Sequence, residues 1–203
     1  MKSQTLLVFG AFAALTFSAC GSKASDGIND AVEAAVESVE TVVASATTQM
    51  DSRSGTEVTG TVRFSEIEVK AGDRVVDHRI VVAYDFQGLP PGEARGFHIH
   101  EHGDCSAPDA SSAGGHFNPA GHDHGAHDAD DAHAGDLGNV TANANGRAVG
   151  TIVVPASKFT VRGNEDNNII GRAVIVHTAT DDLVSQPTGD AGARAACGVI
   201  QAD

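Results

Sequence analysis

Residues 96–105 read GFHIHEHGDC, and the chain continues to Asp136 as SAPDASSAGGHFNPAGHDHGAHDADDAHAGD. Eight of the ten histidines fall between Gly96 and Asp136. His98 and His100 are two apart in a run with strand character. Residues i and i+2 of a strand share a face, roughly 6–7 Å apart at Cα, so both imidazoles project one way and Phe97 and Ile99 the other, into a core. That parity sets a histidine site on the outside of a β-structure, where loops must wall it in. The stretch between Cys105 and Leu137 has almost no apolar content. A structureless loop of that length in a compact domain is either functional or disordered.

Outward from this stretch the chain reads as strands. Glu57–Val69 alternates apolar and polar residues, Arg79–Phe86 (RIVVAYDF) is rich in β-formers, and Gly88–Gly92 (GLPPG) breaks the pattern. Asn143–Gly146 (NANG) reads as a turn joining Leu137–Ala142 to Arg147–Val154, and Ile169–His177 as a further strand. Short strands, Gly-rich turns and no helical period beyond residue 50 give an all-β class, an antiparallel sandwich or barrel with long metal-binding loops. Upstream, Ile28, Val32, Ala35, Val36, Val39 and Val43 recur at three- and four-residue steps, so residues 26–46 read as a helix. The expected organisation is a signal peptide over 1–19, a partly helical spacer over 20–56 and a folded domain over 57–203.

The start of the chain carries an apolar run from Leu6 to Phe17 followed by Ser18-Ala19-Cys20. That is too short for a span of roughly 20 apolar residues and reads as a secretion signal. A Cys directly after small residues resembles a bacterial lipobox, with Phe17 where Leu is usual. Cys20 is therefore the expected lipidation site and membrane link, and the product an exported periplasmic or cell-envelope lipoprotein. With Cys20 lipidated, Cys105 and Cys197 remain either as one pair in an oxidising compartment or as two free thiols. The formal charge is −14, and loss of residues 1–19 leaves −15. Such a balance argues against nucleic acid and anionic lipid as partners.

His116, His124 and His133 are spaced by eight and nine residues, and Asp136 follows three later. Three imidazoles and a carboxylate make a closed tetrahedral shell that suits zinc, and metal binding would supply the folding energy the loop lacks. His98, His100 and His177 form a second set. Imidazoles with an open position suit copper better than calcium or magnesium. His122 and His127 fit no ligand spacing and read as aids to metal capture.

The segments GFHIHEHGDC, AGGHFNPAGHDHG, AGDLGNVTANANG, IIGRAVIVHTATDDL and TGDAGARAACGVI, in that order, resemble a copper/zinc superoxide dismutase over about residues 57–203. The resemblance implies that family's Greek-key β-barrel, related to the immunoglobulin-like sandwich. It implies His98, His100 and His177 as copper ligands, His116 as the bridge between copper and zinc, and His124, His133 and Asp136 as the other zinc ligands. It further implies Asp181 as a carboxylate supporting ligands of both metals, Cys105–Cys197 as a disulfide, Arg194 as the anion-guiding group and Thr188 as the residue narrowing the channel. The implied substrate is superoxide anion, and the implied assembly a monomer or homodimer. Leu183–Arg194 is shorter than in animal relatives and lacks their charged guiding residues, which leaves steering to Arg194. The rival readings are a metal carrier on the same barrel, which needs neither Arg194 nor the bridge, and a copper-only relative, against which His124, His133 and Asp136 stand.

Overall fold

From Ser38 onward Val, Ile and Thr recur, and Cβ-branched side chains pack well on a pleated surface. The computed structural model describes residues 38–163 and 166–203. Among the described residues the regular structure is nine strands and one short 3-10 turn, Ser111–Ala113. The strands are β1 (Ser38–Ser52), β2 (Thr59–Ala71), β3 (Arg74–Gln87), β4 (Ala94–His100), β5 (Asp136–Thr141), β6 (Ala148–Pro155), β7 (Ala173–His177), β8 (Arg194–Val199) and β9 (Gln201–Ala202).

All the ladders are antiparallel, in the order β5-β4-β7-β8-β1-β2-β3-β6, with β9 beside β1. The end strands β5 and β6 are neighbours in sequence, joined through the turn in which Gly146 N–H donates to Asn143 O. The sheet therefore curls until its two edges nearly meet, an antiparallel barrel of the expected class. Inward positions alternate along the strands. Val62 and Phe64, Ile80, Val82 and Phe86, Phe97 and Ile99, and Val174 and Val176 all lie in one core.

β7 is buried on both faces. Val174 and Val176 enter the barrel core, while Ala173 and Ile175 meet Ala110, Ala113, Cys197 and Cys105 in a small second core outside it. The loop after β4 lies over β7 and β8, which explains an apolar run (AVIV) where a half-exposed strand would alternate.

The helix and spacer expected over 20–56 are corrected from Ser38 onward. Ser38–Ser52 is a strand, inserted between β2 on one side and β8 and β9 on the other. Val39 and Val43 do fit a helical spacing. They are also β-branched, like Thr41, Val42, Thr47 and Thr48, and pairing on two sides outweighs a weak local preference. Ala46, Thr48 and Met50 point inward and are buried, so the barrel begins well before Glu57. The signal peptide, Cys20 and the rest of the expected helix lie outside the described residues.

A fragment starting at Glu57 should therefore lack a cooperative thermal transition by circular dichroism, whereas 38–203 should have one. Within the longer chain, Met50→Ala should cost roughly 2–5 kcal/mol, the usual range for emptying a core site. Matching melts for the two fragments would remove β1 from the core.

Candidate metal centre

β4 turns His98 and His100 outward, and β7 ends at His177 beside them. The segment after the 3-10 turn pairs back on the end of β4, where Phe117 N–H donates to Ile99 O and Glu101 N–H to Gly115 O. This brings His116 opposite His100. One ring nitrogen from each of His98, His100, His116 and His177 lies within 4.8 Å of the others, and all four residues are buried.

The opposite nitrogens are fixed by the protein. His98 Nε2 meets Asp181 Oδ2 at 2.8 Å, His100 Nδ1 meets Gly114 O at 3.0 Å, and His177 Nδ1 meets Gly192 O at 3.3 Å. Each acceptor requires the imidazole to donate there, which leaves a bare lone pair on the inward nitrogen of a neutral ring. The inward Nε2 atoms of His100 and His177 face each other at 3.4 Å, and His98 Nδ1 and His116 Nε2 are buried without a partner. Lone pairs converging on one point repel unless a cation lies among them. Burial first, then the neighbouring His116 and His177, hold the His98 and His100 imidazoles well below their usual range. Burial pushes His177 down to about 4. All three are neutral at physiological pH and could each offer a lone pair to a cation.

The second set shares His116. Its Nδ1 lies 2.8 Å from Asp136 Oδ1, with His124 Nδ1 at 3.0 Å and His133 Nδ1 at 3.3 Å from the same oxygen. The His124 and His133 nitrogens approach without hydrogen-bond geometry. His124 Nε2 is held by Asp181 Oδ1 at 2.9 Å, so its Nδ1 turns a lone pair toward a carboxylate. These four side chains fit a cation as a closed N3O shell. Burial opposes ionisation of Asp136, yet bonds from His116 and the Gly125 amide outweigh it and hold the carboxyl below its usual range. Burial likewise opposes the charged form of His124, but the Asp181 bond and the Asp136 charge raise it above 6.5.

Asp181 thus joins the two sets by one carboxylate, Oδ2 on His98 and Oδ1 on His124. Its backbone is clipped in turn by Asn139, whose amide oxygen accepts Asp181 N–H and whose amide nitrogen donates to Asp181 O, both at 2.9 Å. Gly189 is required opposite it, since a Cβ there would come 1.9 Å from Asp181 Oδ1. Gln186 makes a similar clip on the His124 main chain, accepting its N–H at 2.8 Å and donating to its carbonyl at 2.9 Å. Asn139 and Gln186 were not foreseen: nothing in their spacing marks a side chain that serves only as a clip.

Arg194 opens β8 and shares the Gly114 carbonyl with His100, donating through Nη1 to Ala110 O and through Nη2 to Gly114 O. Burial lowers its pKa from the usual arginine value, yet a guanidinium stays charged. Cys105 and Cys197 form a disulfide, which holds the loop bearing Ala110 and Gly114 against β8. Thr188 is half-buried in the loop before β8, and no hydrogen bond among the described residues joins its side chain to either set. His122 and His127 enter neither set. The His122 backbone is clipped by Asn118 instead, and its ring lies 3.3 Å from Ala132 O, closing the base of the loop.

Residues 58–200 match the model of the copper/zinc superoxide dismutase family (SODC). A superoxide dismutase [Cu-Zn] of Candida albicans is 39% identical, the match covering 73% of this chain and 92% of that protein. One of Yarrowia lipolytica is 40% identical with the same coverage. Superoxide dismutase [Cu-Zn] 2 of Aquifex aeolicus is 38% identical over 60% of this chain and 72% of its own. Among solved structures, the clock protein EA4 matches with a TM-score of 0.64 and 35% identity, over 79% of this chain and 96% of that one.

The two sets should separate on acidification. A raised pKa takes up its proton early as pH falls, so His124 protonates first and competes with a cation in the set around Asp136. The lowered His98, His100 and His177 resist protonation further, His177 until pH approaches 4. Dialysis of the metal-loaded protein in pH steps from 7 to 4, with metal content measured at each, should show zinc leaving before copper. Copper leaving first would contradict the proton assignments.

Proposed function

The chain belongs to the copper/zinc superoxide dismutase family, and from that premise we propose how its residues divide the work. The protein is an oxidoreductase that uses copper and zinc. One superoxide gives up an electron and leaves as oxygen; a second takes up that electron with two protons and leaves as hydrogen peroxide. His98, His100, His116 and His177 hold copper, and His116, His124, His133 and Asp136 hold zinc. When bound, copper supplies the alternating one-electron exchange, and zinc a steady positive charge that changes no oxidation state.

The observation that carries this reading is His116, the one residue common to both sets, with Nε2 toward one and Nδ1 toward the other. The Nδ1 side of the ring faces the set that would hold zinc, which leaves Nε2 as the atom to take up a proton and deliver it to the second superoxide. Asp181 sets the tautomers of His98 and His124 together, as the outer partners of metal-bound imidazoles do. Arg194 binds the incoming anion. Two of its five N–H groups are taken by carbonyls, and the others remain for oxygen atoms of the substrate. A chain of formal charge −14 repels superoxide at long range, but a fixed cation in a partly buried cleft focuses the local field.

We also propose that the enzyme acts outside the cytoplasm, tethered by lipid on Cys20, and intercepts superoxide in the cell envelope. The run Leu6–Phe17 before Ser18-Ala19-Cys20 supports this, as does a disulfide of the kind that persists in oxidising compartments.

Two experiments follow. Arg194→Ala should retain both metals and lose roughly 10- to 100-fold in rate, within the range of electrostatic steering; an unchanged rate at low salt would remove its guiding role. Cys20→Ala should move the protein from the membrane to the soluble fraction of fractionated cells, and unaltered membrane association would end the lipid proposal.

A further inference from the structure

We propose that Glu101 is a positioning residue for the reaction, acting through the peptide unit between Gly114 and Gly115. The carbonyl of that peptide, Gly114 O, accepts both from His100 Nδ1 and from Arg194 Nη2. One oxygen therefore orients a copper ligand and the group that guides the anion. The amide at the other end of the same plane, Gly115 N–H, donates to Glu101 Oε2 at 3.0 Å. A peptide unit is rigid and planar, so holding its N–H end fixes where its carbonyl points.

The carboxylate is needed because the ladder fails at this rung. Phe117 N–H donates to Ile99 O and Glu101 N–H to Gly115 O, as antiparallel pairing demands. Gly115 N–H should next donate to Glu101 O, but that carbonyl accepts Arg172 Nη1 at 2.8 Å. The Glu101 side chain takes its place. The peptide is flanked by glycine on both sides, and Gly114 sits at φ 76°, so no Cβ opposes its rotation. A Cβ on Gly114 would lie 2.7 Å from Glu101 Oε2, which shows how closely the carboxylate covers the peptide. Glu101 is therefore kept beside an anion site, where its charge alone would be a disadvantage.

This rests on the roles assigned above to His100 and Arg194, and the test separates the two. Glu101→Ala removes the acceptor; Glu101→Gln removes the charge and keeps an accepting oxygen. In the metal-free protein, Glu101→Ala should strip the Gly115 amide of its protection against hydrogen exchange. In the copper- and zinc-loaded protein it should shift the Cu(II) paramagnetic resonance hyperfine splitting and lower copper affinity, by chelator competition, and rate by about tenfold each. Glu101→Gln should stay near the parent in all four. Retained Gly115 protection in Glu101→Ala would overturn the clamp, and lost protection with an unaltered copper spectrum would overturn its transmission to His100. Equal effects of the two variants, including an equal gain in rate at low ionic strength, would show that only the charge matters. An inactive metal-loaded parent would sink the functional reading and leave the exchange result standing.

Discussion

Of the four imidazoles that converge at the ends of β4 and β7, each except His116 has one nitrogen tied to a protein acceptor, and that tie decides which nitrogen is bare. Asp181, Gly114 O and Gly192 O turn the lone pairs of His98, His100 and His177 inward. Left without a cation, four imidazole nitrogens in the two sets are buried and unpartnered. At roughly 1–3 kcal/mol for each such group, the cost approaches the whole stability of a small domain, about 5–15 kcal/mol. A structural zinc contributes about 10–16 kcal/mol on binding, enough to offset it. The centre is preorganised against its own stability, and the cations complete it.

Such preorganisation needs a rigid support, and the barrel supplies only part of one. β4 and β7 fix three histidines by register, His98 and His100 on one strand and His177 on its neighbour. His116, His124 and His133 ride on an irregular loop with little apolar content, and Asp136 opens β5. Clips made to main-chain groups hold this loop, Gln186 on His124 and Asn118 on His122, while Asn139 holds the loop after β7 at Asp181. Each restores pairing that a strand would have made with its neighbour, which is how a long loop can be ordered without a core of its own.

The disulfide belongs to the same logic. It lies in the small second core over β7 and β8 and holds down the segment that presents Ala110 O and Gly114 O to Arg194. The carbonyls that orient His100 and hold Arg194 thus lie on one loop.

The sequence by itself determined the β-class, the outward parity of His98 and His100, and the family's ligand pattern through Asp136 and His177, because strand period and ligand spacing are local or written in motif order. It misjudged Ser38–Ser52, where a three- and four-residue apolar spacing fits a helix as well as a strand and only pairing with β2 and β8 decides. Tertiary structure alone showed that Gln186 and Asn139 act as clips, that His122 closes a loop base, and that Glu101 replaces a lost rung beside Gly115. Each of these depends on which main-chain group lies opposite. That is set by the meeting of segments distant in the chain, and no spacing along one segment records it.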